Sequence, residues 1–281
     1  MVAKGILKMK NLLIIAYLVG QLGVANAKDQ KILRYCYTSW FGRAEPSDKK
    51  GPEVELIEAF AKINSMKAIP TKVTWEDLFK DDNGKVIETA EYLPKLMKST
   101  CDIYATNMTL IDWRLRKFDM VPFHAGRIFI ITTADRKNIT TSQQLKGLKT
   151  AATPHTTLFE SLQALNEELG EKNGFELKEN PLGGTDKLLL ARKLDFIALD
   201  ASQALQVVRE HSEDLRIAFP IGKNQTIGWA VSPKRKDLEA QLLSFVKEQK
   251  ENPKSKANEI YKKYFGVSLL EYEKLLSRTQ E

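Results

Sequence analysis

Cys101-Asp102-Ile103-Tyr104-Ala105-Thr106-Asn107-Met108-Thr109-Leu110-Ile111-Asp112-Trp113-Arg114 is the stretch whose reading decides the fold. Asp102 to Thr106 reads as a short buried strand. Thr109 and Arg114 then fall just past its carboxyl end, where open α/β sheets present groups to a ligand. An arginine suits that place, because its planar fork of donors matches a carboxylate bidentately and gains strength once water is removed. Taken by composition alone, Arg114 reads equally as one charge of an exposed helix face shared with Arg116 and Lys117.

Toward the N-terminus, Ile32 to Tyr37 reads as a buried strand, and Leu56, Ile57, Phe60 and Ile63 fall at helical spacing. A strand around Lys72 to Trp75 and a turn at Asp81-Asp82-Asn83-Gly84 follow. Ala90, Leu93, Leu96 and Met97 then give a second apolar helical face, with Pro94 in its first turn. Strand, helix, strand, helix, strand implies a parallel sheet with crossover helices. The pattern restarts after Phe129, with a strand at Lys149 to Ala152, a helix carrying Leu158, Phe159, Leu162 and Leu165, and a strand at Leu194 to Leu199. A returning strand, Thr226 to Val231, precedes helices near Leu238 to Gln249, Pro253 to Phe265 and Ser268 to Ser277. The chain is therefore expected to cross twice between two α/β lobes.

The N-terminus carries Lys4, Lys8 and Lys10, an apolar run from Leu12 to Val19, and Ala25-Asn26-Ala27, the pattern of a secretory signal peptide over 1–27. No cysteine stands at the cleavage point, so a periplasmic protein without a lipid anchor is expected. Of the net charge of +7 the leader holds three lysines and no acid, which leaves +4. Basic residues such as Lys234-Arg235-Lys236 are mixed with acids and not with aromatics, which speaks against a nucleic-acid surface. His124, His155 and His211 fit no metal-ligand spacing, no G-x-S-x-G or P-loop occurs, and neither metal nor cofactor is expected. Cys36 lies inside the first strand and Cys101 ahead of its neighbour. A parallel register then offsets them by about four residues of ~3.3 Å, beyond the ~7 Å reach of a disulfide, so both are expected to be free.

Met108 to Arg114, then Phe118-Asp119 and Pro122-Phe123, resemble the signature T-x-T-P-E-R…V-D-F-S-x-P-Y of the family 3 periplasmic solute-binding proteins. Thr109 and Arg114 keep the signature's separation, while Ile111 and Asp112 replace its second Thr and its Pro. Cys101 to Ala105 is similar to the family's G-x-x-D-I-I-I-A strand, and Leu145-Lys146-Gly147 with His155-Thr156-Thr157 to its L-K-G…V-x-x-G-T-T, His155 standing where Gly is usual. Arg192 to Asp200 resembles G-R-x-D-A-x-x-x-D. Gly228 to Val231 and Ile260 to Gly266 look like its returning strand and final helix.

The resemblance implies an α/β, two-lobed type II periplasmic binding protein fold with two hinge strands, near 126–133 and 220–228. Lobe 1 would comprise 28–128 and 226–281, and lobe 2 129–225. It further implies a binding site in which Arg114, Thr109 and Asn107 face Thr156, Thr157 and Asp200. Arg114 would hold the carboxylate of an amino acid and Asp200 its ammonium, with Tyr37, Trp40 and Phe41 flanking the side chain and the His155 imidazole brought toward the cleft. Arg114 is expected to be open to water before the ligand arrives. Asp200 also suits the cap of a helix starting near Ala201. The function implied is that of a monomeric binding protein that captures an amino acid or analogue by hinge closure and delivers it to the permease of an ABC transporter, without chemistry. Two alternatives stand beside it. One is a periplasmic dehydratase of the cyclohexadienyl or arogenate type, which would need an acid such as Glu53 or Glu55 aimed into the cleft. The other is a sensing module that docks to a separate receptor.

Overall fold

The structure, a computed structural model, describes residues 31–38 and 51–278. The leader, Trp40 and Phe41 lie outside the described residues. At the centre of the first lobe is β1 (Ile32–Thr38), whose alternating side chains are buried on both faces: Leu33 and Tyr35 on one, Cys36 on the other. Helix α1 (Pro52–Ile63) starts on Pro52, a residue pre-set for the first helical turn, with Glu53 and Glu55 favoured beside the positive helix end. It packs Leu56, Ile57 and Phe60 against Leu33. Ile63, expected on that face, is 58% exposed at the helix end. Strand β2 (Lys67–Val73) starts earlier than the apolar pattern suggests. It stops before Trp75 because Thr74 turns the chain, its N–H and hydroxyl both donating to Asp77 Oδ2 at 3.1 and 2.6 Å.

The expected helix at Ala90 to Met97 shrinks to α2 (Lys95–Ser99), since Pro94 becomes its N-cap and Ala90 and Leu93 stay outside. After β3 (Ile103–Thr109) and the short α3 (Asp112–Leu115) come β4 (Asp119–Thr133), β5 (Lys149–Ala152), α4 (Thr157–Leu169) and β6 (Glu176–Glu179). The chain continues through α5 (Thr185–Leu190), β7 (Phe196–Asp200), α6 (Ala201–Glu210) and β8 (Leu215–Val231). It ends in α7 (Lys236–Glu251), α8 (Lys256–Phe265) and α9 (Leu269–Arg278). Six strands form one sheet in the order β2-β1-β3-β8-β4-β7, and β5 and β6 form a parallel pair. The parallel sheet expected for the first half holds for β1 with β2 and β3. The sheet as a whole is mixed, because β8 runs antiparallel to β3 and to β4, and β7 antiparallel to β4.

The two longest strands, β4 and β8, run through both lobes. Their ladder is regular from Asp119 to Pro122 and from Ile128 to Ile130, and its register shifts between Gly126 and Ile128. There the Ile227 side chain lies so close over Gly126 that a Cβ at 126 would stand 2.6 Å from Ile227 Cγ1, so a larger residue would force that side chain to shift. Apolar clusters divide on either side of this point. Tyr35, Phe60, Trp229, Leu242, Tyr261 and Tyr272 bury together, so α7, α8 and α9 return to the first lobe. Phe196, Leu162, Ile130 and Phe175 form the core of the second.

Cys36 and Cys101 are bonded, with Cα atoms 5.6 Å apart, which corrects the expectation that both are free. The parallel register is close to the expected one, Cys36 lying opposite Tyr104. The error lies in extending the strand line back to Cys101. That residue still belongs to the turn leaving α2, its N–H donating to Leu96 O, and the chain folds over the sheet face on which Cys36 points. The bridge spans a sequence separation of 65 residues, for which chain entropy gives about 4 kcal/mol. Denaturing, non-reducing alkylation is therefore expected to label neither cysteine. Cys36→Ala with Cys101→Ala is expected to lower unfolding stability by about 2–4 kcal/mol in urea titration, and reductant to lower wild type but not the double variant.

Candidate functional site

A cavity of about 560 Å³ opens between the lobes, a size suited to a small organic molecule. The carboxyl end of β3 supplies Thr106, Asn107 and Thr109, and α3 supplies Arg114; from the other lobe come Thr156 and Thr157 at the start of α4 and Asp200 at the end of β7. Six of the residues singled out from the sequence are thus brought to one cavity: Arg114, Thr109, Asn107, Thr156, Thr157 and Asp200. Tyr37 is not among its lining residues; it packs on the first lobe's core with its ring 6.0 Å from that of Tyr35. Trp40 lies outside the described residues.

Arg114 is the most constrained of these groups. It is 1% exposed, not open to water as expected, and its guanidinium lies 5.0 to 5.6 Å from the ring centres of Trp113, Trp75 and Phe79. Nη1 donates to Thr109 O and Nη2 to His155 O, each at 3.2 Å, and Nε has no partner among the described residues. Burial pulls its pKa down to about 10, with Glu160 and Asp200 opposing, so it remains a cation at neutral pH. Three π faces orient the fork without neutralising its charge. Asp200 stands at the N-cap position of α6, yet its side chain makes no cap bond, and Oδ1 is buried without a partner among the described residues. Burial raises its pKa to about 6, with Arg114 pulling the other way.

Thr156, by contrast, caps its own helix, α4, accepting from Phe159 N at 3.2 Å and donating to Thr153 O at 2.6 Å. Thr157 meets Thr109 across the cleft, hydroxyl to hydroxyl, at 3.2 Å. Asn107 donates to Ser202 Oγ at 3.3 Å and to the Glu53 carboxyl. Glu53 is the site residue that motif reading underrates, because it stands beside Glu55 in one helical turn and the two look alike. Glu55 turns outward to Lys263 and Tyr264, whereas Glu53 is 5% exposed and lines the cavity. The signal available in sequence was Gly51-Pro52, which fixes where the helix begins and so which acid points back over the sheet.

His155 occupies the left-handed region, φ 58°, where a glycine would be unstrained. Its imidazole does not line the cavity as expected. Nδ1 lies 2.8 Å from Glu88 Oε1 of the first lobe, while the His155 carbonyl accepts from Trp75 Nε1 at 3.0 Å as well as from Arg114. One turn of the second lobe is thereby gripped by three residues of the first. Among the described residues no group of His, Cys, Asp and Glu could hold a metal ion, and no helix is long and apolar enough to cross a membrane. Glu88→Gln weakens the grip without touching the cavity. A partly exposed pair of this kind contributes about 0.2–1 kcal/mol, so the unliganded variant is expected to open more often, up to about fivefold. A larger radius of gyration in small-angle scattering, restored to the wild-type value by ligand, would show it; identical curves would remove the grip from closure.

No family model matches the chain. Among curated proteins, the membrane-bound lytic murein transglycosylase F of Desulfosudis oleivorans is 26% identical over 229 residues, which is 79% of this chain and 46% of that protein. The chain thus spans less than half the length of the curated relatives it matches. Among solved structures, one described for glutathione import via GshT and the cystine ABC importer TcyBC of Streptococcus mutans aligns with a TM-score of 0.69 at 19% identity, over 85% of this chain and 97% of that one. An ancestral arginine-binding protein bound to arginine aligns with a TM-score of 0.67 at 18% identity, over 84% of this chain and all of that one, 100%. At these identities the likeness is one of architecture, and the chain has the two-lobed α/β fold of the periplasmic amino-acid-binding proteins.

Proposed function

We propose that this protein captures a small zwitterionic solute, an amino acid or close analogue, by closing two lobes around it, and delivers it to the permease of an ABC transporter in the cell envelope. The observation that carries this reading is the pairing, from opposite lobes of one cavity, of the buried Arg114 with the half-buried Asp200, each with a buried polar atom that lacks a partner among the described residues. A carboxylate on the Arg114 fork and an ammonium on Asp200 would satisfy both at once. In this reading the described residues within 28–128 and 226–281 make up lobe 1 and 129–225 lobe 2, with the register shift at Gly126/Ile128 serving as the hinge. Closure then needs no chemistry: ligand contacts to the second lobe exist only in the closed form and draw the population toward it. The ancestral protein of the same fold is bound to arginine, and a structure of the same fold is described for glutathione import via GshT and the cystine ABC importer TcyBC, which supports both halves of the reading.

One observation favours a second reading. Glu53 lines the cavity with its pKa raised by burial to about 8, so it carries a proton at neutral pH and meets the requirement of the dehydratase alternative for an acid in the cleft. Turnover of prephenate or arogenate by the purified protein would establish that reading, and binding without turnover would set it aside.

For capture, ligand-stripped protein is expected to show a higher thermal midpoint with at least one amino acid, since a ligand held only by the native state stabilises it by ~2.7 kcal/mol at one hundred times Kd. Arg114→Lys keeps the charge, loses the fork, and is expected to weaken binding by about tenfold or more. Asp200→Asn is expected to weaken it by about ten- to hundredfold. The unliganded protein should respond in the opposite sense. The folded form holds the Asp200 proton more tightly than the unfolded chain does, so that contribution is full at low pH and is lost as pH rises through about 6. Asp200→Asn should therefore raise the unliganded midpoint at pH 8, read by calorimetry. A folded Asp200→Asn with wild-type affinity would sink the zwitterion clamp.

A further inference from the structure

The Arg114 and Asp200 clamp accounts for the two ends common to every amino acid and leaves Glu53 over. Glu53 is a carboxyl in the second position of α1, 5% exposed, on the wall of the same cavity. Its partners are its own backbone N–H and the amide of Asn107. The charged and titratable groups around it supply no cation. Tyr261 of α8, Tyr264 in its last turn and Tyr272 of α9 feel the carboxylate, and all three phenols are pushed above their ordinary range, so they stay neutral. Glu55, one turn-step away, shows the contrast, since it is held by Lys263 Nζ at 2.5 Å and Tyr264 Oη at 2.6 Å. The cavity's other cations do not reach Glu53 either: Arg114 is fixed on the Thr109 and His155 carbonyls, and Lys72 is exposed on β2.

A buried carboxyl that faces a ligand cavity without a counter-charge is a place for a positive group on the ligand. Deepening the capture reading, on which this step rests, we propose that Glu53 is a specificity-determining residue that receives a second cationic group, an ammonium or guanidinium at the end of the ligand's side chain. As that group arrives the Glu53 O–H bond breaks and its proton passes to the buffer, leaving a carboxylate paired with the ligand cation. The ligand class is then an amino acid with a basic side chain. The helix end supports the ionised form once it is paired, because the amides of the first turn of α1 favour negative charge there. Burial holds the proton until then, Glu53 titrating near pH 8 in the unliganded protein. Asn107 ties this carboxyl to Ser202, two residues beyond Asp200, so the side-chain subsite and the ammonium subsite share one polar link across the cleft.

The test uses ligand-stripped full chain in titration calorimetry at pH 7, with arginine against citrulline and lysine against norleucine, each in two buffers of different ionisation enthalpy. The charged member of at least one pair is expected to bind about ten- to hundredfold more tightly than its neutral counterpart, with release of close to one proton per ligand. Glu53→Gln, which keeps shape and the Asn107 contact, is expected to bring the two affinities of that pair together and to abolish the release. Circular dichroism and the unliganded thermal midpoint confirm that the variant folds; should it fail to, Glu53→Asp, which shortens the reach but keeps the charge, should retain proton release with reduced affinity. Equal affinities within both pairs in wild type, or a charge preference that survives Glu53→Gln, overturns the assignment. Tight binding of a neutral amino acid such as glutamine with none of arginine or lysine overturns it and leaves amino-acid capture standing. Failure of every amino acid to bind removes both.

Discussion

The antiparallel ladder between Asp119–Thr133 and Leu215–Val231 is the constraint on which the rest of this molecule depends. Each strand is long enough to belong to two cores, so the first lobe's sheet and the second lobe's sheet are one hydrogen-bonded body. The ladder decides which strand ends face each other. β3 ends beside Ile227 and β7 ends beside Ile128, so Thr109 and Asp200, 91 positions apart in sequence, reach one cavity. The ladder's register slips where Gly126 lies under the Ile227 side chain, the point that the capture reading assigns to the hinge. Pairing on both sides of that slip keeps each half stiff.

How far this was legible in sequence can be judged residue by residue. Period and length place β1, β5, α4 and the C-terminal helices well, because the helices each bury one apolar face and the two strands are short buried runs. The long strands were seen only as pieces, since β8 alternates poorly between Leu215 and Thr226, where much of it is half-buried. The parallel reading holds for β1, β2 and β3, and the antiparallel entry of a returning strand from the far end of the chain is something no local pattern records. Motif spacing singles out Arg114, which lines the cavity, and says nothing of its environment. The rings of Trp75 and Phe79 come from a segment more than thirty residues away, and no one-dimensional reading puts them around the guanidinium. Cys36 and Cys101 failed for a related reason: register describes a strand, and one partner lay in a turn.

The polar groups of the cavity carry a shared electrostatic problem. Arg114 and Glu53 are deeply buried and Asp200 is half-buried with one carboxylate oxygen enclosed, and each has its charged form disfavoured by loss of water. Arg114 eases the cost with aromatic faces and two carbonyls, and Asp200 with the field of Arg114. Glu53 eases it by keeping its proton. Such an arrangement is costly for stability and serves a ligand that completes it. The His155 turn answers a different need. A glycine there would relax the backbone, whereas histidine accepts strain and gains a hold on Glu88, which brings the second lobe's helix start over the arginine.

The Cys36–Cys101 bridge has a consequence for how the binding energy is distributed. It joins β1 to the turn between α2 and β3 inside a single lobe, clear of the β4–β8 ladder, so motion about that ladder neither stretches nor relaxes it. The wall that carries Thr38, Asn107 and Thr109 is thus ordered before any solute arrives, with Thr38 and Thr106 already joined hydroxyl to hydroxyl at 3.1 Å. A ligand docking on that wall loses its own freedom but has little left to order in the protein. The entropy of closure falls on the opposite side, at the His155 turn and the Pro181-to-Gly184 loop that borders the cavity. In the capture reading, therefore, both walls select the ligand, Arg114 and Glu53 on the cross-linked one and Asp200 on the other, while the half that moves sets how long it stays.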